Sequence, residues 1–323
     1  MNILITGAAG FLAGPLYREA RRLWQACRLV RTDLAAGPGI AACDLLDAGE
    51  ARALVRRARP DLVFHLAGTA RPLPPAQLWT AHVTATLNLL EALRRTPGCG
   101  AARVVVSGSS AEYGQARGTA TERTPADPVT DYGRSKHAQT LAALSGRHFG
   151  LGIMVARIFN VSGPGIPEHL APGAFARQIA AIARAAGSAG TVLTGNLAAQ
   201  RDYLDVRDVA RALAAVARRG RTGEVYNVCS GRTVAMKELL DVLIAASRCR
   251  IKIVRDPSRW RPVDVPHLAG SHAKLTASSG WLPRVPLKKS LADTLAYHLA
   301  QGRQVPEGAD VLRSPKRGLA KMD

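Results

Sequence analysis

Short apolar runs that end in glycine or a polar residue alternate, through the first half of the chain, with longer stretches whose apolar positions recur every three to four residues. "MNILITG" leads into "AAGFLAGPLYREARRL", and "CRLVRTD" and "DLVFHLAG" follow as further apolar runs. Next come the amphipathic "TAHVTATLNLLEALRR", the valine-rich "ARVVVSGSS", a helical stretch around "YGRSKHAQTLAALSGRHFG" and the buried run "GIMVARIFN". Short runs predict strands covered on both faces, and the 3.6-residue period predicts helices. Their alternation predicts an α/β fold with a Rossmann-like, doubly wound parallel sheet and right-handed crossovers.

After about residue 160 the rhythm loosens. "VSGPGIPEHLAPG" reads as a Pro/Gly-rich connection, followed by a helix ("AFARQIAAIARAAG"), short strands ("TVLTG", "EVYNVCSG") and two helices starting near Val234 and Leu287. The expected division is a dinucleotide-binding domain over 1–160, with segments around 195–215 returning to it, a smaller mixed α/β substrate lobe over 161–300, and a loose tail over 301–323.

Composition narrows the class. Of 323 residues 47% are hydrophobic and 21% charged, which suits a soluble globular chain and excludes extensive disorder. The five cysteines, Cys27, Cys43, Cys99, Cys229 and Cys249, are odd in number and show no CxxC spacing, so neither a disulfide framework nor a metal site is expected. No signal-like segment precedes the first strand and no apolar run is long enough for a bilayer. A cytoplasmic enzyme without membrane attachment is expected. The formal charge of +20 would attract polyanions. Its arginines are scattered, with no basic run of five or more and few aromatics among them, so nucleic acid is not an expected partner.

"TGAAGFLAG" sets Gly7, Gly10 and Ala13 in a G-x-x-G-x-x-[G/A] pattern between a strand and a helix. The first glycine permits the tight turn and the second lets backbone approach a pyrophosphate. The small third residue lets the helix pack close, so the anion meets the helix N-terminus. Asp33 ends the second strand about 20 residues on, where a carboxylate takes a ribose 2′-OH. These features predict NAD(P)H as cofactor, with Asp33 leaning to NAD(H) and Arg28 and Arg31 leaving NADP(H) open. The residues expected to hold it are Gly7, Gly10, Phe11, Leu12, Asp33, Asp44, Leu45, Leu66, Ala67 and Gly68, together with Tyr132 and Lys136. His65, at the end of "DLVFH", reads as a packing residue at the strand end.

"DYGRSK" places Tyr132 and Lys136 four apart, on one helix face. Chance alone supplies such pairs. Here the pair opens the helix that follows "SGSSAEYG", which brings it to the same sheet edge as the glycine turn. Through "TGAAGFLAG", "HLAG", "LNLLEAL", "SGSSAEYG", "YGRSK" and "RIFNVSGPG", residues 1 to 300 resemble the extended short-chain dehydrogenase/reductases. That resemblance implies that Ser109 bonds the substrate oxygen, Tyr132 donates or accepts the proton and Lys136 binds the nicotinamide ribose. A phenol of pKa near 10 needs help to ionise at neutral pH, and a nearby ammonium with a positive nicotinamide favours the phenolate. The chain departs from the family's usual pattern at Ala13, at His82 in place of asparagine and at Ala85 in place of glycine.

Two residues after the serine, nucleotide-sugar dehydratases of this family carry a glutamate and GDP-fucose synthases a cysteine. This chain has Ala111, which can do the work of neither. On an extended segment Glu112 would face the opposite way. Plain reduction or oxidation at one carbon is therefore expected. "RDYLDVRDVARAL", "GEVYNVCSGRTVAMKELLDVL" and above all "DPSRWRPVDVPHLAGSHAKL" resemble the GDP-4-keto-6-deoxy-D-mannose reductases. By that resemblance the substrate is a GDP-sugar bound by Ser109, Ser110, Asn160, Arg201 and Arg259, and C4 of GDP-4-keto-6-deoxy-mannose is reduced to give GDP-D-rhamnose or GDP-6-deoxy-D-talose. Arg261 is the alternative partner of Asp264, and Asp205 and Asp208 are expected to cap a helix. The rival readings are a UDP- or dTDP-hexose 4-epimerase and a non-catalytic NAD(P)-binding regulator. The family's dimer contact implies a homodimer through the helices around 78–95 and 132–149.

Overall fold

A computed structural model describes residues 1–185, 189–260 and 263–301, so Arg261 and the tail beyond Gln301 lie outside the described residues. The strands of the first half are β1 (Asn2–Thr6), β2 (Arg28–Asp33), β3 (Ala41–Ala42), β4 (Leu62–His65), β5 (Arg103–Ser109), β6 (Thr119–Ala120) and β7 (Gly152–Ile158). Those that follow are β8 (Asn160–Ser162), β9 (Ala189–Thr194), β10 (Gln200–Asp205), β11 (Glu224–Val228), β12 (Thr233–Ala235), β13 (Arg250–Arg255) and β14 (His267–Gly270). The helices are α1 (Ala13–Leu23), α2 (Ala48–Ala58), α3 (Pro75–Trp79), α4 (Ala85–Arg95), α5 (Asp131–Ser145), α6 (Ala171–Arg184), α7 (Val206–Arg219), α8 (Met236–Ser247), α9 (Ala273–Ser279) and α10 (Leu287–Gln301).

Seven parallel strands form the main sheet in the order β11-β7-β5-β4-β1-β2-β3. From β1 the chain winds outward through β2 and β3, then crosses back to β4 and proceeds the other way. Such a reversal opens a crevice at the carboxyl ends of β1 and β4. Ile3, Ile5 and Phe64 pack with Leu16 of α1 and Leu213 of α7 on one face. Leu4, Val63 and Val104 pack with Leu54 of α2 and Leu89 and Leu93 of α4 on the other. Both faces are thus apolar, which is why the strands read as continuous runs rather than alternating ones. The late segment "EVYNV" becomes β11, paired with β7 at the edge of this sheet.

A separate core gathers Ile179 of α6, Leu239 and Leu243 of α8 and Leu291 and Leu295 of α10, with Tyr203 of β10 beneath. β9 pairs with β13, while β10 lies between β12 and β14 and also pairs with β8. The long helix expected over 80–95 forms, with a π-helical turn, Thr80–Thr84, that contains His82 and joins α3 to α4. Val234 belongs to β12, and α8 begins two residues later.

Candidate functional site

Gly7 is the residue on which the crevice turns. Its φ is +67°, and a Cβ there would lie 2.7 Å from Ala67 N and Leu66 C, so only glycine lets the first turn touch the strand-end loop of β4. The amide of Ala67 donates to Thr6 Oγ1 at 3.3 Å. Ala13 is buried at the start of α1, and Gly10 stays exposed before it. Asp33 accepts from Ala9 N at 2.9 Å and from Leu34 N at 2.8 Å, which fixes its carboxylate against the glycine turn. Phe11 approaches Gly165, and Leu12 packs on the core. Asn88 of α4 donates to the carbonyls of Leu45 and Leu46, holding the Asp44–Leu45 corner beside the same edge. The glycine turn, Asp33 and the Leu66–Gly68 loop therefore converge, and the missing Cβ of Gly7 is what lets turn and loop pack together, an arrangement that fits a dinucleotide.

Ser109 ends β5 and caps a 3-10 turn, Ser110–Tyr113, in a reciprocal capping box with Glu112. Across from it, α5 is capped by Thr130, whose hydroxyl accepts from Gly133 N at 3.0 Å. Gly133 has no side chain to hold α5 away: a Cβ would come within 2.5 Å of Ala111 O. With α5 this close to the serine turn, Ser109 is near enough to the Tyr132 phenol to pull its pKa downward.

Burial is the largest influence on Tyr132 and raises its pKa, against the downward pull of Ser109. The phenol is thus held protonated, the form a proton donor needs. The groups that act on this phenol are, after burial, Ser109 and Glu112. Lys136 Nζ instead donates to Ser107 O and to Gln139 Oε1, both at 2.5 Å, and burial lowers its pKa to about 8.

Glu112 also departs from the reading of an extended segment. In a 3-10 turn successive side chains are about 120° apart rather than opposed. Glu112 is fully buried, accepts from Ser109 N at 2.9 Å and pairs with Arg157 at 2.8 Å. It is locked onto Arg157 and the Ser109 amide, while Ala111 is partly accessible.

His65 is fully buried between Thr6 and Thr86, and burial followed by the charge of Lys136 lowers its pKa to about 3. His82 is buried in the π turn, its Nδ1 2.9 Å from Ser135 Oγ, and its ring meets Tyr132 edge-on at a 5.7 Å centroid distance. Burial and Lys136 lower its pKa to about 3 also. Both imidazoles are neutral. Sequence reasoning missed Thr86, Ser135 and Gln139. The signal for Gln139 was its position three residues after Lys136, on the same helical face.

On the lobe side, Ser110 is buried at the head of its turn and Asn160 Nδ2 donates to Asp202 O at 3.2 Å. Arg201 pairs with Asp264 at 2.7 Å, and Asn196 donates to the other oxygen of Asp264 at 2.8 Å. Asp264 is thus engaged by Arg201 and not only available to Arg261. Arg259 pairs with Asp256 at 3.2 Å at the rim. Asp205 caps α7 as expected, whereas Asp208 binds the amides of Arg284 and Val285 and pairs with Arg211. Ser109 and Tyr132 lie together at the carboxyl end of β5, Lys136 reaches the same strand through Ser107 O, and Arg201 and Arg259 belong to later segments, β10 and the turn after β13.

Three similarities accompany this geometry. GDP-6-deoxy-D-mannose reductase of Pseudomonas aeruginosa is 36% identical over 245 residues, 73% of this chain and 80% of that protein. dTDP-6-deoxy-L-talose 4-dehydrogenase (NAD(P)(+)) of Kitasatospora kifunensis is 31% identical over 310 residues, 90% of this chain and 94% of that protein. The solved structure of RMD from Pseudomonas aeruginosa complexed with NADPH superposes with a TM-score of 0.82 at 29% identity, covering 93% of this chain and all of that one. The pattern of the NAD dependent epimerase/dehydratase family matches residues 3–229, and with these relatives and this arrangement of turn, serine, tyrosine and lysine, the chain belongs to that family.

Proposed function

We propose that this protein reduces the C4 ketone of a GDP-4-keto-6-deoxy-hexose with NAD(P)H, giving GDP-D-rhamnose or GDP-6-deoxy-D-talose. The observation that carries the reading is a half-buried, protonated Tyr132 set against Ser109, with the one carboxylate of the neighbouring turn locked onto Arg157. A proton donor is supplied, and the carboxylate of that turn is held by Arg157 and Ser109 N rather than free to remove a proton beside the ketone. The relatives that reduce or oxidise a 6-deoxy-sugar nucleotide support the same choice.

The cofactor supplies the hydride. Gly7, Gly10, Phe11, Leu12 and the Leu66–Gly68 loop would hold its diphosphate and nicotinamide side. Asp33, Asp44 and Leu45 would hold its adenosine side. Ser109 orients the ketone oxygen, Tyr132 delivers the proton to that oxygen, and the Lys136 ammonium stabilises the charge left on the phenol. Arg201 and Arg259 would grip the GDP diphosphate and ribose, with Asn160 and Ser110 at the sugar. The division of labour is a dinucleotide domain over 1–160, completed by later segments, and a substrate lobe over 161–300.

The same reading makes the protein a homodimer in the cytoplasm. Trp79, Leu87, Leu141 and Phe149 are exposed on the helices expected to pair, around a concavity of about 340 Å³ lined by Leu87, Leu90 and Phe149. The five cysteines are all free, and among the described residues no helix is long and apolar enough to cross a membrane.

Incubation with GDP-4-keto-6-deoxy-mannose and either NADH or NADPH, followed by NMR of the product's C4 configuration, tests the activity. Conversion is expected, and Tyr132→Phe should lower kcat by about 10²–10⁴-fold. No conversion with either cofactor, or an unimpaired phenylalanine variant, overturns it. Turnover of a dTDP- or UDP-sugar alone would reassign the substrate.

A further inference from the structure

The polar groups behind the reaction centre form one connected chain whose donors can be assigned. Thr86 has a single hydroxyl proton, and it goes to His82 O at 2.5 Å. Thr86 Oγ1 must then accept from its other two partners, Gln139 Nε2 and His65 Nε2, each at 2.9 Å. With its proton on Nε2, His65 accepts at Nδ1 from the Thr6 hydroxyl, which itself accepts from Ala67 N. At the other end, Gln139 has its amide nitrogen on Thr86, so its carbonyl oxygen faces Lys136. Every group in the chain is buried: Thr6, His65, Thr86 and Gln139 are at 0% exposure and Lys136 at 4%.

We propose that Gln139 is a positioning residue that anchors the Lys136 ammonium on a neutral acceptor and, through Thr86 and His65, ties it to the strand-end loop of β4. The proposal rests on the reading of Lys136 as the cation that serves Tyr132. Two acceptors, Ser107 O and Gln139 Oε1, use two of the three ammonium protons, and the third is left for the crevice. Because both acceptors are uncharged, Lys136 keeps its full charge for the phenol. A carboxylate in the place of Gln139 would neutralise it, and an apolar side chain would leave it free to turn.

The titratable groups that face Lys136 come from four elements. They are Glu112 on the serine turn, His82 in the π turn and His65 at the end of β4, with Tyr132 four residues before Lys136 on its own helix. Both imidazoles are neutral and the phenol is protonated. Glu112 is the one anion, and Arg157 already holds it. The charge state of Lys136 is therefore open to what residue 139 offers.

The test is titration of the Lys136 amine by NMR in protein labelled with ¹³C at lysine Cε, with the signal assigned by its loss in Lys136→Met. Gln139→Glu is expected to raise the Lys136 pKa by about one to three units, as a carboxylate within 4–6 Å does. Gln139→Met is expected to lower it. The basic limb of kcat/KM should move in the same two directions. A residue that merely bridges α5 to α4 would leave the titration in place or shift it alike in both variants, and either result overturns the proposal. The titration needs no substrate, so a protein inactive on every sugar nucleotide would reject the proposed function without touching this one.

Discussion

Two buried cations flank the serine turn, and they meet opposite fates. Arg157 lies against a carboxylate, Glu112, and over the ring of Tyr113 at 4.7 Å. Burial pulls its pKa down, but Glu112 and Tyr113 outweigh burial and the net shift is upward. Lys136 is as deeply buried but is bonded only to neutral acceptors, and its pKa falls to about 8. Burial alone therefore does not decide what a cation does. A paired charge fixes the backbone of the turn, whereas a charge left on neutral acceptors is poised for chemistry.

The contrast breaks first at Glu112. Glu112→Leu strands Arg157 without its anion and removes the acceptor from Ser109 N. A loss of about 3–5 kcal/mol of stability is expected in urea unfolding. Glu112→Gln, which keeps an acceptor of the same shape, should cost less. Equal losses in the two variants would mean that charge pairing is not what matters there.

On the other side, Lys136→Met should fold and fail as a catalyst. Removing one preorganised charge from such a site lowers kcat by about 10²–10³-fold. Circular dichroism and steady-state rates on the same sample check both halves. A variant that unfolds but turns over normally under stabilising conditions would reverse the roles assigned to the two cations.

A smaller effect separates activity from stability in pH. Under the proposed mechanism Lys136 has to be charged to serve Tyr132, so activity is expected to be full below about pH 8 and to fall as pH rises through it. Between that value and the ordinary lysine range the unfolded chain holds a proton that the native one has released. By linkage this group's contribution to stability increases with pH over that window. The difference in unfolding free energy between wild type and Lys136→Met, measured across the window, should follow that sign.

The least effect is expected far from both cations. Asp205 caps α7 through Arg207 N at 2.8 Å and is not part of the contrast. Asp205→Ala should cost about 0.5–2 kcal/mol, typical of a lost N-cap, with turnover unchanged.

Much of this was legible in the order of residues, because it depends on local periodicity. The apolar runs at 2–6, 62–65, 103–109 and 152–158 became neighbouring parallel strands, and the glycine turn and Asp33 met because β1 and β2 pair directly. Tyr132 and Lys136 were readable for the same reason, since an i,i+4 pair on a helix meets wherever the helix goes. Arg201 was named for the substrate, but its partner Asp264, 63 residues on, could not be read from spacing.

What only the tertiary structure decided is how these groups are charged and which way they face. Glu112 turns inward because its segment is a 3-10 turn capped by Ser109, and Arg157, 45 residues away, is waiting there. Lys136 turns to Gln139 and Ser107 because burial leaves it no water to bind. A pattern of residue types determines which elements form and what chemistry is present. Protonation states follow from desolvation and from partners distant in sequence, which exist only once the chain has packed.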